Sequence, residues 1–214
     1  MSSPIKYSMQ HWNGDQMCAI DIETTGTDPS RHEMIQLAIL ALDANCLPRK
    51  DVVPFYIDIA PESPETADVE AMKVNKLKLA QIAIRGHDRE KAVDLLEDWI
   101  GKLGIPCNKY GRPKRIYPLG HNYSAFDLNF MKKWLGEDRY DQYFDPRIRD
   151  TLSICNFLND HAAMKGEVVP FFKTNLTWVC KQLNITRERS HDALQDCLAT
   201  AMVYNLLMRR GMLV

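Results

Sequence analysis

The sequence predicts an α/β domain in which one mixed sheet is covered by helices. Three apolar, strand-like segments with short connections come first, and later strands alternate with helical segments. A chain of 214 residues that is 45% hydrophobic and 26% charged is long enough for a sizeable core and has a globular composition. We therefore expect residues 1–214 to form a single domain with a core at about residues 17–210.

The first three strands are predicted at residues 17–22, 34–42 and 52–59. The first two are apolar runs, and Asp43 begins a turn after the second. Pro54 has no amide hydrogen to donate, so the third strand is expected at a sheet edge. Their short connections predict an antiparallel meander.

Helical segments are predicted next. Residues 58–65 contain prolines and are expected to be a loop, and residues 65–84 are expected to be helical in short pieces. Residues 88–103 have apolar side chains at helical spacing. Gly104 and Pro106 should end that helix.

Strands and helices then alternate. A fourth strand is predicted at residues 115–119, and Ser124 is expected to cap a helix that runs to residue 135 and stops at Gly136. The remaining elements are a short strand at 147–150 and helices at 151–164, 175–183 and 192–210.

Composition limits the function classes. The net charge is −1, whereas a domain that binds long duplexes nonspecifically is usually strongly basic. Residues 1–12 have no apolar signal region and no run approaches a membrane span, so we expect a cytoplasmic protein with no membrane association. The six scattered cysteines are expected to be reduced core thiols, although a single catalytic cysteine stays open.

Acidic residues occur at the end of a predicted strand and at the start of a predicted helix. Asp21 and Glu23 are two apart on the first strand, so both carboxylates point to one face before Thr24-Thr25-Gly26 ends the strand. Asp127 lies early in the helix that follows strand four, where the helix dipole favours a carboxylate. Taken alone, each patch is better explained by solvated acids at a turn or a helix end.

A third patch surrounds the start of the last helix. His191 and Asp196 lie five residues apart there, and a lone histidine before a helix is more often a surface residue. The combination is more specific, because hard carboxylate oxygens bind Mg²⁺ and two such ions promote in-line phosphodiester hydrolysis. A neutral histidine beside them can accept a proton at neutral pH.

These patches resemble the DEDDh family of 3′-to-5′ exonucleases, which has a ribonuclease H-like fold. The motif Asp21-Ile22-Glu23-Thr24-Thr25-Gly26, the segment Gly120-His121-Asn122 through Asp127, and His191-Asp192-Ala193-Leu194-Gln195-Asp196 match its three motifs. The resemblance spans about residues 17–210. It implies a ribonuclease H-like mixed five-stranded sheet flanked by helices.

The resemblance also implies roles. Asp21, Glu23 and Asp196 would hold one Mg²⁺, and Asp21 with Asp127 a second, with Mn²⁺ able to substitute. His191 would be the general base. The terminal nucleotide would contact residues at the end of the first motif and at the start of the second: Thr24, Thr25, Gly26, His121 and Asn122.

Substrate choice stays open. We expect single-stranded DNA or RNA 3′ ends as partners, with DNA slightly favoured and nucleoside 5′-monophosphates as products. The alternatives are an RNA-trimming or oligoribonuclease-type enzyme and a non-catalytic nucleic-acid-binding module; homodimer formation is also open. Two basic clusters are candidates for a rim that guides the strand: Lys109, Arg112, Lys114 and Arg115, and the pair Lys132 and Lys133.

Overall fold

A five-stranded mixed sheet organises the molecule. The computed structural model describes residues 14–187 and 191–211. The strand order is β3-β2-β1-β4-β5, with strands β1 Met17–Thr24, β2 Met34–Leu42, β3 Phe55–Asp58, β4 Tyr117–Gly120 and β5 Arg149–Asp150. β1, β2 and β3 pair antiparallel, and β4 and β5 continue the sheet in parallel. The predicted meander and the edge position of β3 are confirmed.

Eight α-helices accompany the sheet in the described ranges. They are α1 Val69–Asn75, α2 Leu79–Arg85, α3 Arg89–Lys102, α4 Asp127–Leu135, α5 Glu137–Tyr143, α6 Thr151–Met164, α7 Leu176–Gln182 and α8 Ala193–Gly211. A single 3-10 turn, Pro64–Thr66, precedes α1. The predicted α/β fold with a mixed five-stranded sheet flanked by helices is therefore confirmed.

The two faces of the sheet are covered differently. On one face, large side chains such as Leu37, Trp99 and Phe130 join β1, β2, α3 and α4 in one core cluster. On the other face, Ala193, Cys197 and Ala201 of α8 pack against β1, β2 and β4. Small residues four apart on one face of α8 allow this helix to lie close to the sheet, and α8 thereby carries its first turn to the end of β1.

Several predicted boundaries were wrong. β3 begins at Phe55 rather than at residue 52, so Pro54 lies just before the strand instead of within it. Ser124 does not cap α4: that position belongs to Phe126, which makes no side-chain capping bond. Ser124 instead donates its amide to the Asp150 carboxylate at 3.3 Å. Helix α5, directly after Gly136, was not predicted.

The cysteines are free, as expected, but Cys107 is exposed and Cys46 is only half-buried, so the predicted core position was wrong for these two. Burial raises the pKa of Cys180 to about 11 and that of Cys155 to about 12. Burial also raises the pKa of Cys18 and Cys197 far above the ordinary thiol range. Since the thiolate is the nucleophile, these four are core residues rather than catalytic ones.

No helix in the described part of the chain is both long and apolar enough to cross a bilayer. The expectations for residues 1–12 lie outside the described residues.

Candidate active site

The predicted acidic residues converge on one cleft at the carboxyl ends of β1 and β4. The cleft encloses about 480 Å³, and its lining includes Asp21, Glu23, Asp127, His191 and Asp196. Asp21 and Glu23 point the same way because they alternate along β1. Ligand atoms of Glu23, His191 and Asp196 lie within 4.8 Å of one another. The three sequence patches are therefore one site in space.

A bulge in β2 lies opposite the end of β1. The pairing register with β2 shifts between Glu23 and Thr24, so that Glu23 faces Gln36 but Thr24 faces Met34. Bulges bend a strand and increase its local twist, and they often occur beside active sites. Thr24 and Gly26, directly after this irregularity, line the cleft.

Asp127 is held by backbone groups. It is the first residue of α4 and is 5% exposed. Burial raises its pKa to about 8, opposed by hydrogen bonds from its own backbone amide and that of Ile22. The neighbouring Asp150 carboxylate accepts the amide of Asn122 at 2.9 Å and caps α6 through Leu152 at 3.0 Å. Asp150 thus supports the loop that carries the second motif.

His191 sits immediately before α8 in the left-handed conformation, with φ +62°. The start of α8 is fixed from two sides, because Gln36 accepts the amide of Ala193 at 3.1 Å and Tyr56 donates to Asp192 at 3.2 Å. Burial lowers the pKa of His191. At neutral pH its imidazole is therefore mainly uncharged and able to accept a proton.

The carboxylates destabilise one another in the absence of cations. Burial, followed by the charges of Asp196 and Asp127, raises the pKa of Glu23 to about 8. Burial and then Asp127 raise the pKa of Asp21 well above the ordinary carboxyl range. Buried hard-oxygen donors whose ionised forms repel are the donor set that divalent cations suit. The residues present therefore fit a divalent metal centre.

Arg187 is a site residue that sequence reasoning missed. Its guanidinium pairs with the Asp196 carboxylate and donates to Thr177 at 3.0 Å. Both paired side chains are only 9% exposed, and Nε of Arg187 has no partner in the described part of the chain. No motif marks this arginine; only the fold places it beside Asp196.

Of the predicted nucleotide contacts, Thr24, Gly26, His121 and Asn122 line the cleft. Thr25 is completely buried, and its hydroxyl accepts the amide of Glu33 at 2.9 Å. The structure gives its side chain a role inside the loop and keeps it out of the cleft lining.

Gly26 is required by a neighbouring side chain. The imidazole of His32 lies against it, where a Cβ would overlap the ring. His32 in turn accepts the amide of Asp28 at 3.0 Å. The sequence suggested that Gly26 allows a substrate to approach; the structure adds a packing reason inside the loop.

His121 is held by structural contacts. Its Nδ1 lies 2.8 Å from the Thr151 hydroxyl, and its Nε2 lies 2.8 Å from the carbonyl of Thr174. With both ring nitrogens engaged, only its carbon surface is free for a nucleotide. Phe126 is half-buried, packs on Phe130 with ring centroids 5.2 Å apart, and also lines the cleft.

Helix α1 forms a wall that the sequence did not indicate. Asn75 donates to the carbonyl of Thr24 at 3.1 Å, and the amide of Asp68 donates to the carbonyl of Thr25 at 2.7 Å. Ala71 and the exposed Val74 face the cleft from this helix. The backbone of the first motif is therefore tied to α1.

The first basic cluster is not a rim of the cleft. Its residues precede β4, whereas the cleft lies beyond the carboxyl ends of β1 and β4, which run parallel. Lys114 pairs with Asp15 at 2.9 Å and Arg115 with Asp145 at 3.5 Å. The weak expectation that this cluster guides a strand was wrong because it lies at the opposite end of the sheet.

Comparisons with known proteins agree with this geometry. Residues 18–111 match the RNase_T family model, described as Exonuclease. This part of the chain is similar to exonucleases.

The chain is also similar to individual proteins. An oligoribonuclease of Aliivibrio fischeri is 26% identical over 152 residues, which are 66% of this chain and 74% of the relative. A zinc-bound complex of E. coli Exonuclease I with single-stranded DNA superposes with a TM-score of 0.73 at 16% identity, covering 95% of this chain and 42% of that one.

Cell-death related nuclease 4 (CRN-4) gives a TM-score of 0.67 at 19% identity, covering 92% of this chain and 64% of that one. The chain thus spans about two fifths of the length of Exonuclease I. At these identities the likeness to solved structures establishes the fold.

Proposed function

We propose that this chain is a DEDDh-type exonuclease of the ribonuclease H-like superfamily, which removes nucleotides from the 3′ ends of single-stranded nucleic acid and releases nucleoside 5′-monophosphates. The observation that carries the proposal is the convergence of four carboxylates and His191 in one cleft. We propose DNA as the slightly favoured substrate, since Exonuclease I, which shares the fold, is known in complex with single-stranded DNA.

The carboxylates would hold two divalent ions, with Mg²⁺ as the resident metal and Mn²⁺ able to substitute. Asp21, Glu23 and Asp196 would bind one ion, and Asp21 with Asp127 the other. When bound, such ions polarise the phosphate and stabilise the attacking and leaving oxygens of an in-line displacement. In the absence of these ions, the pKa of Glu23 and that of Asp127 are each about 8.

His191 would accept the proton of the attacking water on its imidazole. Its lowered pKa keeps the ring neutral at neutral pH, which is the form a general base requires. The loop at Thr24 and Gly26, together with Asn122, would surround the terminal nucleotide, and α1 would form the facing wall.

An oligoribonuclease-type activity on short RNA is the second candidate, because the curated relative that aligns with this chain is an oligoribonuclease. The two candidates differ in substrate length and sugar. Competition between a dinucleotide and a longer strand, each as DNA and as RNA, separates them.

The test is a time course with 5′-labelled single-stranded DNA and matched RNA in Mg²⁺, Mn²⁺ or EDTA. The Asp196→Asn variant should form no ladder, because a metal ligand is lost without a change of side-chain shape. His191→Ala should slow hydrolysis by roughly 100-fold or more, the usual contribution of a general base. Asp160→Asn, an exposed position on α6, is the control and should retain wild-type rates.

Full activity of Asp196→Asn would refute the two-metal proposal. Binding of oligonucleotide without any hydrolysis in Mg²⁺ or Mn²⁺ would instead favour the non-catalytic binding module.

We further propose that residues 17–210 are the core of a single cytoplasmic domain. Sedimentation of the purified chain, alone and with an oligonucleotide, would distinguish a monomer from the homodimer left open by the sequence.

A further inference from the structure

A second groove opens beside the catalytic cleft. It encloses about 450 Å³ and is lined by the start of α7, including Asn175, Thr177 and Trp178, and by Arg187. His191 and Asp196 line both the groove and the cleft. The two depressions therefore meet at the residues to which we assign hydrolysis.

The groove and the cleft differ in charge. Besides the metal-binding carboxylates, Asp68 and Glu70 line the cleft. In the groove, Arg187 is paired with Asp196, so the positive charge in excess comes from the ammonium groups of Lys173 and Lys181, which lie beside Trp178. A nucleic-acid strand needs metal ions at the phosphate being cleaved but cationic side chains at its other phosphates. The change of charge at Asp196 matches that need.

Trp178 provides a stacking surface in the groove. It is 36% exposed, whereas Trp99 and Trp134 are each 8% exposed. The Nζ atoms of Lys173 and Lys181 lie 4.9 Å and 5.0 Å from the centre of a Trp178 ring. Single-strand binding sites combine an aromatic ring that stacks on a base with basic groups that follow the backbone.

We propose that this groove binds the nucleotides on the 5′ side of the scissile phosphate, with a base stacked on Trp178 and backbone phosphates paired with Lys173 and Lys181. The inference rests on the proposed function, because the groove is continuous with the cleft only at the residues assigned to hydrolysis. A base that stacks on the indole displaces one lysine from the ring, and the released ammonium is then available to a phosphate.

Arg187 joins the two parts of this path. It pairs with Asp196 and donates to Thr177 at 3.0 Å, and its unpartnered Nε is buried. Its charge at the junction favours the strand over a neutral ligand. An acidic peptide could also pair with the two lysines. A peptide site, however, would have no need to adjoin a site for phosphodiester hydrolysis.

The first experiment measures binding, so that it does not depend on catalysis. A fluorescein-labelled dT strand of about a dozen nucleotides is titrated in Ca²⁺ and followed by anisotropy. Trp178→Ala should weaken binding by about 5- to 100-fold, the range of one base–aromatic stack. Lys173→Ala and Lys181→Ala should each flatten the salt dependence of log K by about 0.7, as expected for one lost single-strand phosphate contact.

The molecule supplies a matched control at the far end of the sheet. Tyr110 is 76% exposed and has the Nζ of Lys109 4.9 Å from its ring centre. It lies in the segment before β4, away from the cleft. Tyr110→Ala should bind the strand like the wild type.

Kinetics provide the second readout. With a long strand in Mg²⁺, Trp178→Ala should raise KM and leave kcat unchanged. With p-nitrophenyl thymidine monophosphate, which has no 5′ extension, both parameters should be unchanged.

Equal affinities for Trp178→Ala and wild type would overturn the groove proposal, as would an equal loss in Tyr110→Ala. If the wild type hydrolyses neither substrate, the proposed function fails, and the anisotropy series still decides whether Trp178 binds the strand. Competition by an acidic peptide that equals competition by unlabelled dT would also overturn the assignment to nucleic acid.

Discussion

At the residue scale, Asp196 pairs with Arg187 in the metal-free protein and is proposed to bind a divalent ion in the metal-bound protein. Without metal its partner is Arg187, and both side chains are 9% exposed. Burial raises the pKa of Asp196, and the Arg187 charge opposes that rise. The arginine thus offsets part of the repulsion that the carboxylate cluster creates when no cation is bound.

Replacing Arg187 should therefore affect the metal-free protein most. Breaking a buried ion pair costs about 3 kcal/mol or more, so Arg187→Met should lower the free energy of unfolding by about that amount in EDTA. Mg²⁺ should restore part of the loss. Urea unfolding with and without Mg²⁺ measures both values, and an equal loss in the two conditions would contradict this account of Arg187.

Gly26 is a second residue with a specific steric role. Gly26→Ala would push the ring of His32 away, because a Cβ there overlaps the imidazole. Overpacking of this kind costs about 1–3 kcal/mol, and the loop at the mouth of the cleft should shift with the ring. We expect a lower Tm together with a raised KM. The double variant Gly26→Ala/His32→Ala should recover stability if the clash is the cause.

At the scale of elements, β2 positions the end of α8 that borders the cleft. Gln36 is 1% exposed and lies opposite Glu23 in the sheet. Its amide nitrogen donates to Asp58 of β3 at 2.8 Å, while its oxygen accepts the amide of Ala193 at 3.1 Å. One side chain thus links β3, β2 and the start of α8, where His191 and Asp196 reside.

Gln36→Met should lower kcat by more than its loss of stability alone would cause. An unsatisfied helix amide costs about 1–3 kcal/mol, and misplacement of a catalytic group by a small distance can lower a rate by about 100-fold. Steady-state kinetics and thermal unfolding are measured on the same preparations.

Gln16→Met is the matched control for this element. Gln16 is completely buried and donates to the carbonyls of Met17 and Leu42 at 2.6 Å and 3.1 Å, at the opposite end of the sheet. The Gln16→Met variant should lose a similar amount of stability and keep its kcat. Equal losses of kcat in both variants would show that Gln36 has no positioning role.

At the scale of the whole molecule, metal binding, proton binding and stability are linked. The pKa of Glu23 rises from 4.5 to about 8 in the folded protein. A raised folded pKa contributes stability that is complete below the unfolded value and is lost as pH rises through the folded value. The metal-free protein should therefore lose stability between about pH 4.5 and pH 8 from this group.

A divalent cation should reverse that loss. Below about pH 8 a cation must displace protons from Glu23 and Asp127, so its affinity should fall as pH falls. The increase in Tm caused by Mg²⁺ should consequently be larger at pH 8.5 than at pH 6. Calorimetry in buffers of different ionisation enthalpy should detect proton release, and pH-independent binding without release would contradict the linkage.

Much of the architecture could be predicted because it depends on local pattern. The apolar run of β2 matched its predicted bounds, Asp88 and Asn175 cap α3 and α7 where those helices were expected to begin, and α6 runs through the predicted residues. The predicted N-cap of α4 at Ser124 was wrong, because the carboxylate of Asp150 binds the amide of Ser124. Distant partners of that kind leave no local trace.

The sequence by itself determined the fold class and indicated the residues of the candidate site, because strand and helix periodicities and three short motifs are local properties of the chain. Only the tertiary structure decided which charges meet. It placed Arg187 on Asp196, used Gln36 to join β3 to α8, moved the basic segment before β4 to the far end of the sheet, and opened the Trp178 groove beside the cleft. The physical reason is that electrostatic and hydrogen-bond energies depend on distance in space, which sequence spacing does not specify.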